Sequence, residues 1–336
     1  MAWLSVLVPV YNTQAFLQEC LQSVLAQLDE GDDGVQVLAL DDCSTDGSWT
    51  LMQALAQRWP RRLQLLRSAC NGGLSAARNT LLEAAGGEYL WFLDSDDKLL
   101  PGSIAALRTI VQTHAPDMVL CDFSVWREPA RLKHHLRGER HRRTFAGPAR
   151  QLVQDRRALL TGMLFSGQLH AWSKISRRTL WGDDLRFPAG RYFEDMATMP
   201  LVALRTERFY YEPTPWVAYR QRTGSIRATM SLPKALDQSS ALLPFARALK
   251  ATPWGDDQHL QLALAQQAAR SLAGAMRHVC QPGAPTPPPD TADTLRRHFL
   301  DTSPLSPQAL AKAYLWRGWW LRRWRFLRWF NARPAA

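Results

Sequence analysis

Two acids one residue apart, Asp94 and Asp96 in Asp94-Ser95-Asp96-Asp97, come directly after the apolar run YLWFL. Carboxylates at the mouth of a buried strand can put oxygens on a hard divalent cation, Mg2+ or Mn2+, which fills its shell with phosphate oxygens. The alternative is an acidic turn that caps the next helix. Asp41 and Asp42 close a second β-rich run, VQVLAL, where a carboxylate can accept from the imide N–H of a nucleobase. Ser44 to Asp46, just beyond, can instead cap the following helix. Gly72 and Gly73 allow close backbone approach at a helix N-terminus, a place that favours anions. Arg78, one turn in, either reaches a phosphate or base or is an ordinary surface arginine. Glu194-Asp195 offers a general base for a weak hydroxyl nucleophile, or merely an acidic first helical turn.

The elements that must position these acids follow from periodicity. The pattern predicts strands near residues 5–9, 35–40, 63–66, 89–93 and 118–123. Helices are predicted from Thr13 to about Gln27, over 47–59 and 74–85, and from Pro101 onward. Strands separated by helices imply an α/β fold with a mostly parallel sheet and helices on both faces. In such sheets ligands bind beyond the carboxyl ends of the strands, where these acids fall. The first turn, Val10-Tyr11-Asn12, holds no glycine, and there is no Walker A sequence, so a bound nucleotide must be held by side chains and a metal.

Charge and composition narrow the partners. The net charge of +11 is concentrated: residues 127–143 hold seven Lys/Arg against two Glu, and residues 308–336 hold seven and no acid. Such patches suit a polyanion or an anionic membrane surface. A nucleic-acid-binding protein would explain the charge but gives no role to the clustered aspartates, which repel phosphates without a metal. Nucleic acid is therefore not the expected partner. The five cysteines show no CxxC spacing, which argues against a zinc cluster and fits a reducing compartment. No secretory signal and no apolar run of spanning length is read, so the expected location is cytoplasmic.

Four segments, VLVPVYN, LDDCSTDGS, NGGLSAARNT and GEYLWFLDSDD, occur in that order and together resemble family 2 glycosyltransferases of the GT-A fold. FPAGRYFEDMATMPLVALRTERFYY and YRQRTGSI resemble the acceptor half of the non-processive bacterial members. The resemblance covers about residues 3–228 and implies an inverting, metal-dependent transfer from a nucleotide sugar, with UDP and a hexose or N-acetylhexosamine favoured. It implies nucleobase contacts at Pro9, Tyr11 and Asp41, and base, ribose or phosphate neighbours at Asp42 and Arg78. Asp94 and Asp96 correspond to the metal and diphosphate motif, and Asp195 to the catalytic base. Trp172, Lys174 and Glu194 match the acceptor and donor-sugar side without an assigned step. Gln221-Arg222 lacks the following Trp of processive members. A scaffold of this fold without activity is the other alternative.

The implied organisation is a catalytic domain over 1–228, with a nucleotide-sugar half (1–125) and an acceptor half (150–228). A helical extension (229–280), a proline-rich linker (281–290) and a basic Trp/Arg-rich tail (305–336) follow. On a helical wheel the tail gathers Leu315, Trp316, Trp319, Trp320, Phe326, Leu327 and Phe330 on one side. That pattern suits a helix lying on the inner face of an anionic membrane, close to a lipid-linked or surface-glycan acceptor. A terminal helix docked on the protein is the alternative.

Overall fold

The computed structural model describes residues 2–28, 34–127, 139–221, 230–281 and 287–333. The chain divides into two compact units that interleave in sequence. The first holds residues 1–156, 170–190 and 205–222; the second holds 157–169, 191–204 and 223–336.

The first unit is built on one sheet. Its opening strands are β1 (Leu4–Val10), β2 (Val35–Asp41), β3 (Leu63–Arg67) and β4 (Tyr89–Phe92), followed by β5 (Lys98–Leu99) and β6 (Met118–Trp126). Short β7 (Leu152–Val153), β8 (Lys174–Arg177) and long β9 (Phe209–Arg220) complete it. The order is β3-β2-β1-β4-β8-β6-β9-β5, with β7 paired to β9. The four strands β3-β2-β1-β4 are parallel, as the alternating pattern predicts. Beyond them the sheet is mixed, because β8 enters antiparallel between β4 and β6.

Every residue of β1 is buried, which explains its unbroken apolar run. Leu4, Val6, Val8 and Val10 share one core with Leu17 and Leu21 of α1 (Gln14–Leu25) and Met52 of α2 (Ser48–Arg58). The same core takes Leu107 of α4 (Ser103–His114). Helix α3 (Gly73–Ala84) covers β1 and β2 from the other side. At roughly 1.5–3 kcal/mol per fully buried large apolar side chain, this two-sided burial is the main force holding the strand ends in register.

Two helix starts differ from expectation. Thr13 occupies the N-cap of α1, yet its hydroxyl makes no capping bond; it donates to Ser95 instead, at 3.0 Å. Pro101 lies ahead of α4, which begins at Ser103 behind Gly102 with φ +80°. An L side chain at Gly102 would be strained.

The second unit is helical. It contains α5 (Arg156–Ser166), α6 (Glu194–Arg205), α7 (Leu232–Ser240), α8 (Leu243–Lys250), α9 (Gln258–Val279) and α10 (Thr291–Thr302). The tail is not one helix. It forms α11 (Pro307–Trp316) and α12 (Trp320–Phe330), separated at Gly318 with φ +67°. Small residues of α9, such as Ala265, Ala268 and Ala275, let its neighbours approach closely. Leu295, Phe299, Leu310, Tyr314 and Phe326 fill the core they share. The wheel expected Phe326, Leu327 and Phe330 on the same face as Trp316 and Trp320. Instead Phe326 packs inward, 2 % exposed, while Trp316 and Trp320 are 78 % and 69 % exposed. The basic segment 128–138, the YRQRTGSI stretch from Arg222 on and the proline run 282–286 lie outside the described residues.

Candidate functional site

The carboxyl ends of β1, β2 and β4 are neighbours in the sheet, and β1 is where the strand order reverses direction. A crevice at such a switch point is the expected ligand position of an open α/β sheet. Pro9 ends buried in β1, while Tyr11 just beyond it is exposed. The turn is held by Asn12 (φ +50°), whose side-chain oxygen accepts from the backbone N–H of Thr45 at 2.8 Å and of Asp46 at 3.3 Å. Its own N–H donates to Ser44 Oγ at 3.0 Å. Ser44 to Asp46 therefore tie one loop to another. Asp46 also bonds to the N–H groups of Gln14 and Ser48.

The two acids after β2 have different duties. Asp41 is fully buried; its Oδ1 accepts from the N–H of Ser44 at 3.2 Å, and its Oδ2 lies 3.3 Å from Arg67 Nε. Asp42 caps α3 across the loop, its two oxygens accepting from the N–H groups of Gly72 at 3.0 Å and Gly73 at 2.8 Å. The anion at that helix N-terminus is thus a carboxylate of the chain itself.

Arg78 is not a surface arginine. It is fully buried and donates to Asp94 Oδ1 at 2.7 Å, with its guanidinium 5.3 Å from the centre of the Phe187 ring. Phe187 is in turn fastened by a two-way bond with the Asn79 amide. A charge-assisted bond from a dry cation sets the orientation of Asp94 at the strand end.

The acidic loop has further supports that the motif reading did not single out. Ser95 is buried and accepts from Thr13, joining this loop to the β1 turn. Asp97 Oδ1 accepts the N–H of Arg220 at 2.7 Å, and Arg220 Nε donates to the carbonyl of Asp96 at 3.0 Å. Arg220 also pairs with Glu19, which pairs with Lys98, and both cations lie 3.5 Å from the centre of the Trp126 ring. Burial first, then the charges of Asp96 and Asp94, hold the Asp97 carboxyl well above the usual carboxylate range. The same surroundings push the Cys20 thiol up. Only its place as the third acid of the run marked Asp97 in sequence; Arg220 lies in the YRQRTGSI segment but carried no role of its own there.

Asp97 Oδ2 is buried without a hydrogen-bond partner, beside two further carboxylates. Such a place favours positive charge, and the donors are all hard oxygens. The residues therefore fit a Mg2+ or Mn2+ that takes Asp94 and Asp96 and leaves other positions to phosphates. Among the described residues no group of three or more His, Cys, Asp or Glu forms a metal cluster by itself.

Trp172 and Lys174 are interior residues of the first unit. Trp172 stacks on His170 at 4.6 Å, and its carbonyl accepts from Trp91 Nε1. Lys174 is fully buried, donating to the carbonyl of His170 and to Ser173 Oγ. Glu194 and Asp195 belong to the second unit and start α6, with Glu194 buried and Asp195 half-buried. The preceding Phe193 has φ +59°, a strained conformation for a bulky residue, and Pro200 interrupts the bonding of the helix.

Comparison with known proteins is consistent with this geometry. Residues 5–166 match the model of Glycosyl transferase family 2. Glycosyltransferase GlyG of Streptococcus pneumoniae is 28 % identical over 67 % of this chain and 73 % of its own length. Glycosyltransferase GlyA of the same organism is 27 % identical over 66 % of this chain, a match spanning only 31 % of GlyA. Among solved structures, S. aureus TarS (residues 1–349) in complex with UDP-GlcNAc superposes with a TM-score of 0.71 at 21 % identity. That match covers 98 % of this chain and 89 % of that one.

Proposed function

Since this chain carries a family 2 glycosyltransferase domain on a GT-A fold, we propose that it moves a sugar from a nucleotide diphosphate to a hydroxyl of a glycan or lipid-linked acceptor. In this reading the donor is a UDP sugar, a hexose or N-acetylhexosamine, the transfer is non-processive, and the anomeric carbon inverts. The observation that carries the proposal is Asp94, held by the buried Arg78 at the switch point of the sheet, next to Asp96 in the loop that Arg220 braces.

Each side chain has a task. Tyr11 offers an exposed ring to the base, with Pro9 and Asp41 at the strand ends behind it. Asp42 shapes the glycine turn, and Arg78 orients Asp94. Asp94 and Asp96 would hold Mg2+ or Mn2+, which when bound supplies positive charge against the departing diphosphate. Asp195 takes the proton from the acceptor hydroxyl, and one base opposite the leaving group gives a single in-line displacement with inversion. Trp172 and Lys174 support the sugar side from the interior, and Glu194 stiffens the start of α6. Peripheral association with the inner face of a membrane belongs to the same reading, drawn from the acid-free basic stretch 308–336.

The test is a panel of nucleotide sugars screened for hydrolysis with Mn2+, Mg2+ or chelator. UDP sugars are expected to be hydrolysed with metal only, and Asp96→Ala to abolish both turnover and metal-dependent nucleotide binding. Full activity in chelator would remove the metal, and no hydrolysis of any donor would favour an inactive scaffold.

A further inference from the structure

The two tail helices have two faces with opposite fates. One is docked: Leu310, Tyr314 and Phe326 are buried among Phe299, Leu295 and the alanines of α9. Arg322 Nη1 reinforces the docking by donating to Gln266 Oε1 of α9 at 2.7 Å. The other side is open and mixes apolar with cationic side chains. Leu315, Trp316, Trp320, Leu321 and Trp324 are each more than 40 % exposed. They make up most of the exposed large apolar side chains among the described residues, gathered within ten positions of the chain. Soluble surfaces rarely concentrate such side chains without a partner.

Position along the helices groups them further. Trp320 and Trp324 are one turn apart on α12, and Arg328 follows one turn later with its guanidinium 5.3 Å from the centre of the Trp324 ring. Leu321 and Arg325 form the adjacent row, and on α11 exposed Lys312 precedes Trp316 by one turn. No acid occurs between residues 302 and 336. Indole rings next to guanidinium groups match the boundary between headgroup and acyl chain, where a ring is half wet and a cation meets phosphate. Two leucines among the tryptophans favour lipid over a soluble polyanion, which offers nothing to aliphatic carbon.

We infer that the exposed Leu315–Trp316–Trp320–Leu321–Trp324 face of the docked α11–α12 pair is a preformed surface that lies on an anionic lipid bilayer. The inference rests on the peripheral-membrane part of the proposed function and deepens it: the anchor is one side of a folded helical layer. Its tryptophans are held ready by Phe326 and Tyr314 beneath, so binding requires no unfolding of the tail.

The experiment uses the full chain and vesicles of phosphatidylglycerol with phosphatidylcholine, against phosphatidylcholine alone, by co-sedimentation. Donor hydrolysis and thermal unfolding are followed on the same preparations. Wild type should sediment with the anionic vesicles, and high salt should weaken that binding without removing it, because the apolar contribution is not screened. Trp320→Ala combined with Trp324→Ala should lower the partition about tenfold or more with unchanged melting and hydrolysis. Arg325→Glu with Arg328→Glu should abolish the preference for anionic lipid. If wild type binds but the double tryptophan variant binds equally, this face is wrong while the membrane reading survives. Absence of vesicle binding by wild type overturns both, and the hydrolysis assay still judges the enzyme separately. Competition by DNA that strips the protein from vesicles equally in wild type and in the tryptophan variant would overturn the lipid assignment in favour of a polyanion.

Discussion

The strand-end loops of the sheet unit and the tail layer of the helical unit solve the same problem, holding a surface in shape, by different means. In the loops, one polar side chain fastens one neighbouring turn. Asn12 holds Thr45 and Asp46, Asp42 holds Gly72 and Gly73, Ser95 receives Thr13, and Asp97 receives Arg220. Each bond is directional, and few side chains could replace either partner. In the tail, rings pack on alanines, where shape and area matter and direction hardly does. Under the proposed function, donor placement would rest on directional bonds and the lipid-facing surface on packing.

The most severe test of this contrast is Asp195→Asn, which places chemistry in the helical unit. Turnover should fall roughly 10²–10⁴-fold with nucleotide affinity unchanged, measured as kcat against donor Kd. A parallel fall in donor binding would make Asp195 structural and return all the chemistry to the sheet unit. Next comes Phe326→Ala, expected to destabilise the helical unit by about 3–5 kcal/mol through lost contacts and a cavity. Trp320→Ala, on the open face, should stay within about 0.5 kcal/mol in the same denaturant titration. Equal costs at the two positions would mean that the faces are not distinct. Asp42→Ala should have a smaller effect on the sheet unit, about 1–3 kcal/mol, because two backbone N–H groups at the start of α3 lose their acceptor. If stability holds while nucleotide affinity drops, Asp42 is a ligand contact more than a cap.

The order of strands and helices through Phe123 was legible, apart from the two-residue β5, because β1, β2 and β4 are largely apolar, buried runs, and β2 and β4 are closed by acids. The acids therefore fell at strand ends, and Asp41, Asp42, Asp94 and Asp96 occupy the carboxyl edge that their positions implied. What bonds them was less legible. Arg78 could be read as a ligand contact or a surface arginine, and its burial beside the rings of Phe92 and of Phe187, the latter far along the chain, had no local signal. Strand β8 was missed because Lys174–Arg177 is short and polar, and its place depends on pairing with β4 and β6. The tail misled the wheel for another reason. Aromatics occur on both sides of α12, and contact with α9, α10 and α11 decides which are covered.

The brace on the acidic loop also has a consequence for how the molecule comes into being. Strand β1 pairs with β2, and β2 with β3, close in sequence, while β9 must find β6 across a long excursion, Met118 meeting Phe209, as β4 must find β1, Leu4 meeting Tyr89. Loop closure of that length is slow to be rewarded, so β9 is expected to join late, as the nascent chain lengthens from its N-terminus. Arg220 is the last residue of that strand. All four motif segments up to Asp97 are thus synthesised before the residue that steadies the acidic loop exists. In refolding monitored by pulsed hydrogen exchange, protection of the Arg220 amide should appear after that of Val6 and Val37. Under the proposed function, donor binding would be gained only after β9 has closed on β6.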